Sequence, residues 1–229
     1  MQYGCIGEKL THSFSREIHS RLFDYDYRLL EIPKDELEAF MLKKDFRAIN
    51  VTIPYKQSVM PYLDYISDTA KAIGAVNTIV NKNGLLYGYK TDCAGLSALI
   101  KKQGIKLQNK KVLILGSGGT AKTAFAVAKS LGAREVYRVS RTAKEDCITY
   151  EQMYASHTDA EILINTTPCG MYPNIIGTPV QIDRFSSLSG VIDAIYNPLR
   201  TPLRMKAKEL NIRSIEELEL IELLKSPQN

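Results

Sequence analysis

Lys56 and Asp92 are the residues of this 229-residue chain whose types and surroundings point first to chemistry. Lys56 closes the run Asn50-Val51-Thr52-Ile53-Pro54-Tyr55-Lys56, and Asp92 closes Gly88-Tyr89-Lys90-Thr91-Asp92. Between them lies Gly74-Ala75-Val76-Asn77-Thr78. A lysine and a carboxylate among small polar side chains can move a proton or hold a charge. A second constellation, Gly116-Ser117-Gly118-Gly119-Thr120-Ala121, opens the later half and reads as a pyrophosphate cradle. The layout fits a two-domain dehydrogenase with its substrate held in the cleft between the halves.

Each residue also has an ordinary explanation. A lysine is usually a solvated surface charge. Asp92 can cap the helix that follows it, Asn77 can end a strand, and Thr52 can simply fill one. Ser13 and Ser15, in Thr11-His12-Ser13-Phe14-Ser15, can be plain N-caps or two hydroxyls that receive a carboxylate at a helix start. Lys56 gains weight from its place just after a strand end and Pro54, where α/β clefts open.

The elements that must position these residues alternate between short apolar runs and amphipathic stretches, which predicts an α/β protein. In the first half the pattern predicts strands near 2–6, 26–31, 47–52 and 75–81. A hairpin partner is expected at 85–89, across Asn81-Lys82-Asn83-Gly84. Helices are expected at 15–23, 35–43, 55–63 and 67–72, the second with Leu37, Phe40 and Met41 on one face. A helix over 93–103 carries the chain into a second half. There a strand at 111–115, the glycine turn, a helix at 120–131 and a strand at 134–140 follow in order, with Gly132 at the helix C-cap position. Further strands fit 161–165, 190–193 and 212–215.

In that setting Gly116-x-Gly118-x-x-Ala121 has the context a dinucleotide fingerprint requires, a strand before it and an Ala-rich helix after it. Small residues let backbone N–H groups approach a pyrophosphate, and the helix dipole adds to the attraction. An acidic residue is expected about 20 positions on where a ribose 2′-hydroxyl is bound. Here that place holds Ser140-Arg141-Thr142, with Lys144 just after. Arg141 suits a 2′-phosphate, so NADP is expected rather than NAD.

Bulk properties agree with a small-molecule enzyme. The net charge is +5, with 45% hydrophobic and 24% charged residues. No dense basic run with interleaved aromatics suggests nucleic acid. Cys5, Cys93, Cys147 and Cys169 are scattered, so no zinc site or disulfide framework is expected. No signal peptide is visible, and no apolar run reaches the ~20 residues of a membrane helix. The expectation is a soluble, cytoplasmic protein that binds no metal; a homodimer is possible.

Taken together, the motifs resemble the shikimate dehydrogenase family. They are Ser13-Phe14-Ser15, Asn50–Lys56, Gly74–Thr78, Thr91-Asp92, Gly116–Ala121 and Ser140-Arg141-Thr142. They continue through Asn165-Thr166-Thr167-Pro168, Asp193-Ala194-Ile195-Tyr196-Asn197-Pro198 and Thr201-Pro202-Leu203, in family order. The resemblance implies an N-terminal α/β substrate domain (1–92), a Rossmann-like dinucleotide-binding domain with a connecting helix (93–205) and a C-terminal segment (206–229). It implies reversible reduction of 3-dehydroshikimate to shikimate with NADPH, in aromatic amino-acid biosynthesis. Lys56 would transfer the proton with Asp92 as its partner. Ser13, Ser15, Thr52, Asn77, Asp92 and Tyr196 would hold substrate. Gly116, Ser117, Gly118, Gly119 and Thr120 would hold pyrophosphate. Ser140, Arg141, Thr142 and Lys144 would surround the 2′-phosphate, and Ala194 would lie near the nicotinamide. The chemistry agrees, because an alkoxide formed from a ketone needs a proton or a nearby positive charge, and a lysine supplies either.

The chain departs from the family pattern in places. Lys90 stands where the family has asparagine, and either adds charge to the site or points to solvent. The family's glycine-rich closing helix carries a substrate-binding glutamine. Here Leu224 falls at that position and Glu217 replaces a glycine, and the chain stops short of the family's usual end. An amphipathic helix over 216–225, packing through Leu218, Ile221 and Leu224, is expected in its place. Two alternatives stay open: a relative acting on quinate and, because of this tail, a weakly active binding or regulatory paralogue.

Overall fold

The structure, a computed structural model, describes residues 2–10, 15–22, 24–144, 146–195, 197–198 and 200–215. The expected tail helix, with Glu217 and Leu224, lies outside the described residues, as do Ser13 and Tyr196. The chain forms two compact units, one of residues up to Asp92 and one from Cys93 onward.

The first unit is built on a mixed six-stranded sheet. Its elements are β1 (Tyr3–Gly7), α1 (Ser15–Leu22), β2 (Tyr27–Glu31), α2 (Leu37–Lys43), β3 (Ala48–Val51), β4 (Tyr65–Ile66), α3 (Asp68–Ile73), β5 (Thr78–Lys82) and β6 (Leu85–Tyr89). The strand order is β2-β1-β3-β5-β6-β4. β1 runs parallel to β2 and β3, whereas β5 is antiparallel to both β3 and β6. The β5–β6 hairpin turns on Asn83 and Gly84, both at positive φ, as a tight two-residue connection demands. Leu37 and Met41 of α2 are buried in the core with Ile6, Ile49, Ile79 and Leu86, and Phe40 packs against it, as the helix periodicity predicts.

One expected helix is not formed. Residues 53–59 run through turns, and only Met60–Tyr62 winds a short 3-10 segment. Pro61 has no N–H to donate to the Gln57 carbonyl; that carbonyl instead accepts from Met60 at 3.1 Å. The turn still buries Tyr55 and Val59, so the apolar pattern was sound and the period assigned to it was not.

α4 (Asp92–Lys102) leads into the second unit. Its elements are β7 (Lys111–Leu115), α5 (Gly119–Ser130), β8 (Glu135–Ser140), β9 (Ile148–Thr149), α6 (Tyr150–Ser156), β10 (Ile162–Asn165), β11 (Gly190–Asp193), α7 (Pro202–Glu209) and β12 (Arg213–Ile215). All its strands are parallel, in the order β12-β11-β10-β7-β8-β9. That is the doubly wound order of a Rossmann fold, with its reversal between β7 and β10. Val112, Ile114, Ile162 and Ile164 pack on one face with Ala121, Ala124 and Val127 of α5. Leu113, Leu115 and Leu163 pack on the other with Met153 of α6 and Leu203 of α7. Burial on both faces explains why β7 is apolar throughout its last four residues rather than alternating.

α6 starts with a capping box. The Gln152 N–H donates to Thr149 Oγ1 at 3.2 Å, and the Thr149 N–H donates to Gln152 Oε1 at 2.8 Å. Thr149→Ala is expected to cost about 1 kcal/mol in urea unfolding, with Thr149→Ser recovering most of it.

Candidate active site

Sheet register assembles the polar group of the first unit. Asn50 of β3 pairs with Thr78 of β5, which pairs with Tyr89 of β6. The carboxyl ends of β3 and β6 therefore meet at the start of β5. Lys56 is fixed from both sides in sequence. Thr52 donates its N–H to the Ile6 carbonyl at 3.0 Å, and the Lys56 carbonyl accepts from Val76 at 2.7 Å. Beside it, the buried Tyr55 donates its hydroxyl to the Ile32 carbonyl.

Lys56 Nζ lies 3.3 Å from Asp92 Oδ2, with the two side chains 21% and 31% exposed. Asp92 is the first residue of α4, where the helix dipole favours a negative charge. Lys90 Nζ lies 2.8 Å from the same oxygen, and its side chain has no exposed surface. The open question about Lys90 is thereby answered: it points inward. Asp92 Oδ1 is buried and accepts no hydrogen bond from a described residue.

Around this ion trio runs a chain of neutral polar groups. Asn77 Nδ2 donates to Thr91 Oγ1 at 3.1 Å, and Asn77 Oδ1 accepts the Thr91 N–H at 2.8 Å. Thr91 and Thr78 share a hydroxyl hydrogen bond of 3.0 Å. Asn50 donates to Thr78 at 3.3 Å and accepts the Tyr27 hydroxyl at 2.6 Å. Ser15 hydrogen-bonds Tyr27, and the His19 ring stacks on it at 3.9 Å. Burial lowers the His19 pKa, so the stacked ring favours its neutral form. Cys5 of β1 is buried, which pushes its thiol up to about 11 against a smaller lowering by Lys56. Asn77 and Ser15 thus belong to one network. Thr52 stands on the same strand end, its methyl against Gly7.

The second unit brings its own predicted residues together. Gly116 follows β7 at φ +117°, and a Cβ there would lie 2.6 Å from Thr166 Oγ1, just beyond β10. Only glycine fits this close approach at the point where the strand order reverses. Gly118 caps α5 without a side-chain hydrogen bond to the first turn, in which Gly119 and Thr120 lie. Such a helix start leaves N–H donors for an anion. Lys144 Nζ donates to Ser117 Oγ at 2.9 Å, tying the loop after β8 to the glycine turn. Ser140 is buried, whereas Arg141, Thr142 and Lys144 are exposed. Arg141 forms no ion pair with another described residue. These groups fit a phosphorylated dinucleotide. Ala194, after β11, donates its N–H to the Asn165 carbonyl at 2.9 Å. Among the described residues no cluster of three His, Cys, Asp or Glu could hold a metal ion.

Sequence reasoning gave Asp193 no role beyond membership of a motif. Its buried carboxylate accepts from Asn165 Nδ2 at 3.0 Å, Thr201 Oγ1 at 2.6 Å and the Ile195 N–H at 3.2 Å. The network locks the ends of β10 and β11 to the start of α7. The signal available was the polar Asn165 and Asp193 closing otherwise apolar strands.

Comparison with known proteins decides the family. Residues 5–79 match the family described as shikimate dehydrogenase substrate binding domain. The chain is 40% identical over 237 residues to a shikimate dehydrogenase (NADP(+)) of Clostridium beijerinckii, covering 96% of this chain and 87% of that protein. This chain belongs to the shikimate dehydrogenase family. Among solved structures, shikimate dehydrogenase 1 from Peptoclostridium difficile is 33% identical, with a TM-score of 0.84 over 100% of this chain and 93% of that one. A Thermus thermophilus shikimate 5-dehydrogenase, in complex with NADP(H) and shikimate, is 25% identical, with a TM-score of 0.87 over 98% and 90%. The expected family and α/β architecture both hold.

Burial raises the Asp193 pKa above its usual value, and its three hydrogen bonds and the Arg204 charge oppose the shift only in part. The folded chain therefore holds this proton more tightly than the unfolded chain. The stability that comes from holding it is present at low pH and is lost as pH rises through the raised value. Asp193→Ala should remove that pH slope and, by stranding three donors, lower stability by about 1–3 kcal/mol in denaturant titrations.

Proposed function

We infer that this chain catalyses the NADP-dependent, reversible reduction of 3-dehydroshikimate to shikimate, a step of aromatic amino-acid biosynthesis. The observation that carries the reading is the Lys56–Asp92 pair at the strand ends of one unit, together with the dinucleotide turn of the other. The relative from Clostridium beijerinckii bears the same activity in its name, as does the Thermus thermophilus structure holding NADP(H) and shikimate. The quinate and regulatory alternatives are not favoured by relatives so named over most of the chain.

NADPH, when bound, would supply the hydride that the carbonyl carbon takes up. As the carbonyl π electrons move to oxygen, the Lys56 ammonium gives that oxygen a proton and is left as a neutral amine, which regains a proton from solvent. Asp92 holds the ammonium through Oδ2 and keeps Oδ1 as an acceptor for a substrate hydroxyl. Ser13, Ser15, Thr52, Asn77 and Tyr196 complete the substrate contacts, since an alcohol-rich ligand needs matched donors and acceptors. Residues 116–120 receive the pyrophosphate. Ser140, Arg141, Thr142 and Lys144 hold the 2′-phosphate, and Ala194 borders the nicotinamide. All four cysteines are free, which suits the reducing cytoplasm where we place the enzyme.

Two substitutions test the assignment. Lys56→Ala should lower turnover by orders of magnitude while NADPH affinity changes little; near-normal turnover in a folded variant removes Lys56 from the mechanism. Arg141→Ala should weaken NADPH binding roughly tenfold to a hundredfold, the ~1.5–3 kcal/mol of a charge-assisted bond. NADH, which lacks the 2′-phosphate, should be much less affected. Equal losses for both cofactors in binding titrations would assign the discrimination elsewhere.

A further inference from the structure

Lys90 has no place in the reaction as described so far, yet it touches the same carboxylate oxygen as Lys56. Its Nζ is 2.8 Å from Asp92 Oδ2, against 3.3 Å for Lys56. Its side chain is wholly buried, so it is not a solvated charge that happens to lie nearby. An ammonium is withdrawn from water only where opposite charge compensates it, and Asp92 supplies such charge here at 2.8 Å. We propose that Lys90 is a positioning residue that acts through Asp92: it takes up part of the carboxylate's charge and so eases proton release from Lys56. This rests on the reading of Lys56 as the proton donor.

The electrostatics have a definite sign. A carboxylate alone stabilises the Lys56 ammonium and raises its proton affinity. A second cation bound to the same oxygen lies within about 6 Å of the first, and buried charges at that range are poorly screened. It opposes the carboxylate and lowers that affinity. With both lysines protonated the trio carries one net positive charge, which loss of the Lys56 proton removes. Lys56 is the more exposed of the two, so it is the one that exchanges protons with substrate and solvent. Among the described residues, titratable groups bearing on the trio come from several places in the unit. They include Lys56 after β3, Lys90 after β6, Asp92 at the head of α4 and Cys5 on β1, whose thiol stays neutral. The adjoining Asn77, Thr78 and Thr91 do not titrate.

The test is the pH profile of kcat, in both directions, for Lys90→Met, Lys90→Gln and Lys90→Arg. Melting temperature and NADP affinity serve as checks that each variant is folded. The two neutral variants should move the alkaline limb up by about one pH unit. Shikimate oxidation at neutral pH, which needs the neutral amine, should fall about tenfold and recover at higher pH. Lys90→Arg should keep the wild-type limb. If Lys90→Met does not fold, Lys90→Gln, which preserves a donor to Asp92 but no charge, decides the question with Lys90→Arg. An unmoved limb in the neutral variants overturns the proposal, and so does a wild-type profile for Lys90→Gln. Lys56→Gln separates this from the catalytic reading. If its residual activity still shows the limb, the limb is not that of Lys56 and the catalytic reading fails. If the limb is lost there but unmoved in the Lys90 variants, only the inference about Lys90 fails.

Discussion

Asp92 Oδ2 faces two ammonium groups, Lys56 at 3.3 Å and Lys90 at 2.8 Å, and the polar face of the first unit is organised around that contact. Withdrawing one of these charges fully from water and the other two in part is unfavourable unless their geometry is held firmly. The holding is done by backbone. Lys56 is bracketed by hydrogen bonds from Thr52 to Ile6 and from Val76 to Lys56, and Lys90 follows directly on β6. Asp92 opens α4, so its position is set by a helix start rather than by a mobile loop. The neutral network from Asn77 through Thr91, Thr78, Asn50 and Tyr27 to Ser15 extends the face without adding charge. Substrate hydroxyls would meet fixed donors and acceptors there, and fixed partners are what distinguish one polyol acid from another.

The second unit solves a different problem, which is to bring main-chain N–H groups close to a polyanion. Its parallel order places Gly116 and Thr166 just past the ends of adjacent strands at the reversal, so that a side chain on the first would collide with the second. The Thr166 hydroxyl donates to the Leu115 carbonyl at 2.6 Å, which fastens the end of β10 to the end of β7 just where the turn begins. Asp193 does the same for β11 and α7. Rigidity under the cradle thus comes from short polar contacts between apolar strands.

The glycine turn, its strand and its helix were legible because each depends on local spacing. Lys56, Asp92, Asn77 and Arg141 were singled out through their motifs, and the pairing of Lys56 with Asp92 came from the family resemblance; the structure places that pair 3.3 Å apart. The helix expected over 55–63 failed because Pro61 removes a donor that a residue count does not weigh. β4 and β9, of two residues each, are too short to leave a period. Lys90 was ambiguous because the direction of a side chain after a strand end depends on where Asp92 lies, and that is set by tertiary structure. The polar network at Asp193 was hidden for the same reason: its members are 28 and 8 residues from the aspartate.

Cys5 gives the site a further property. A thiol is attacked by oxidants and alkylating agents as its thiolate, and burial holds this one in the protonated form at any physiological pH. The neighbouring Lys56 ammonium, which elsewhere would activate a cysteine, is outweighed by desolvation. The sulfur near Lys56 is therefore chemically silent. It packs as a small apolar side chain with Leu10 and Tyr27, which shields it from oxidants.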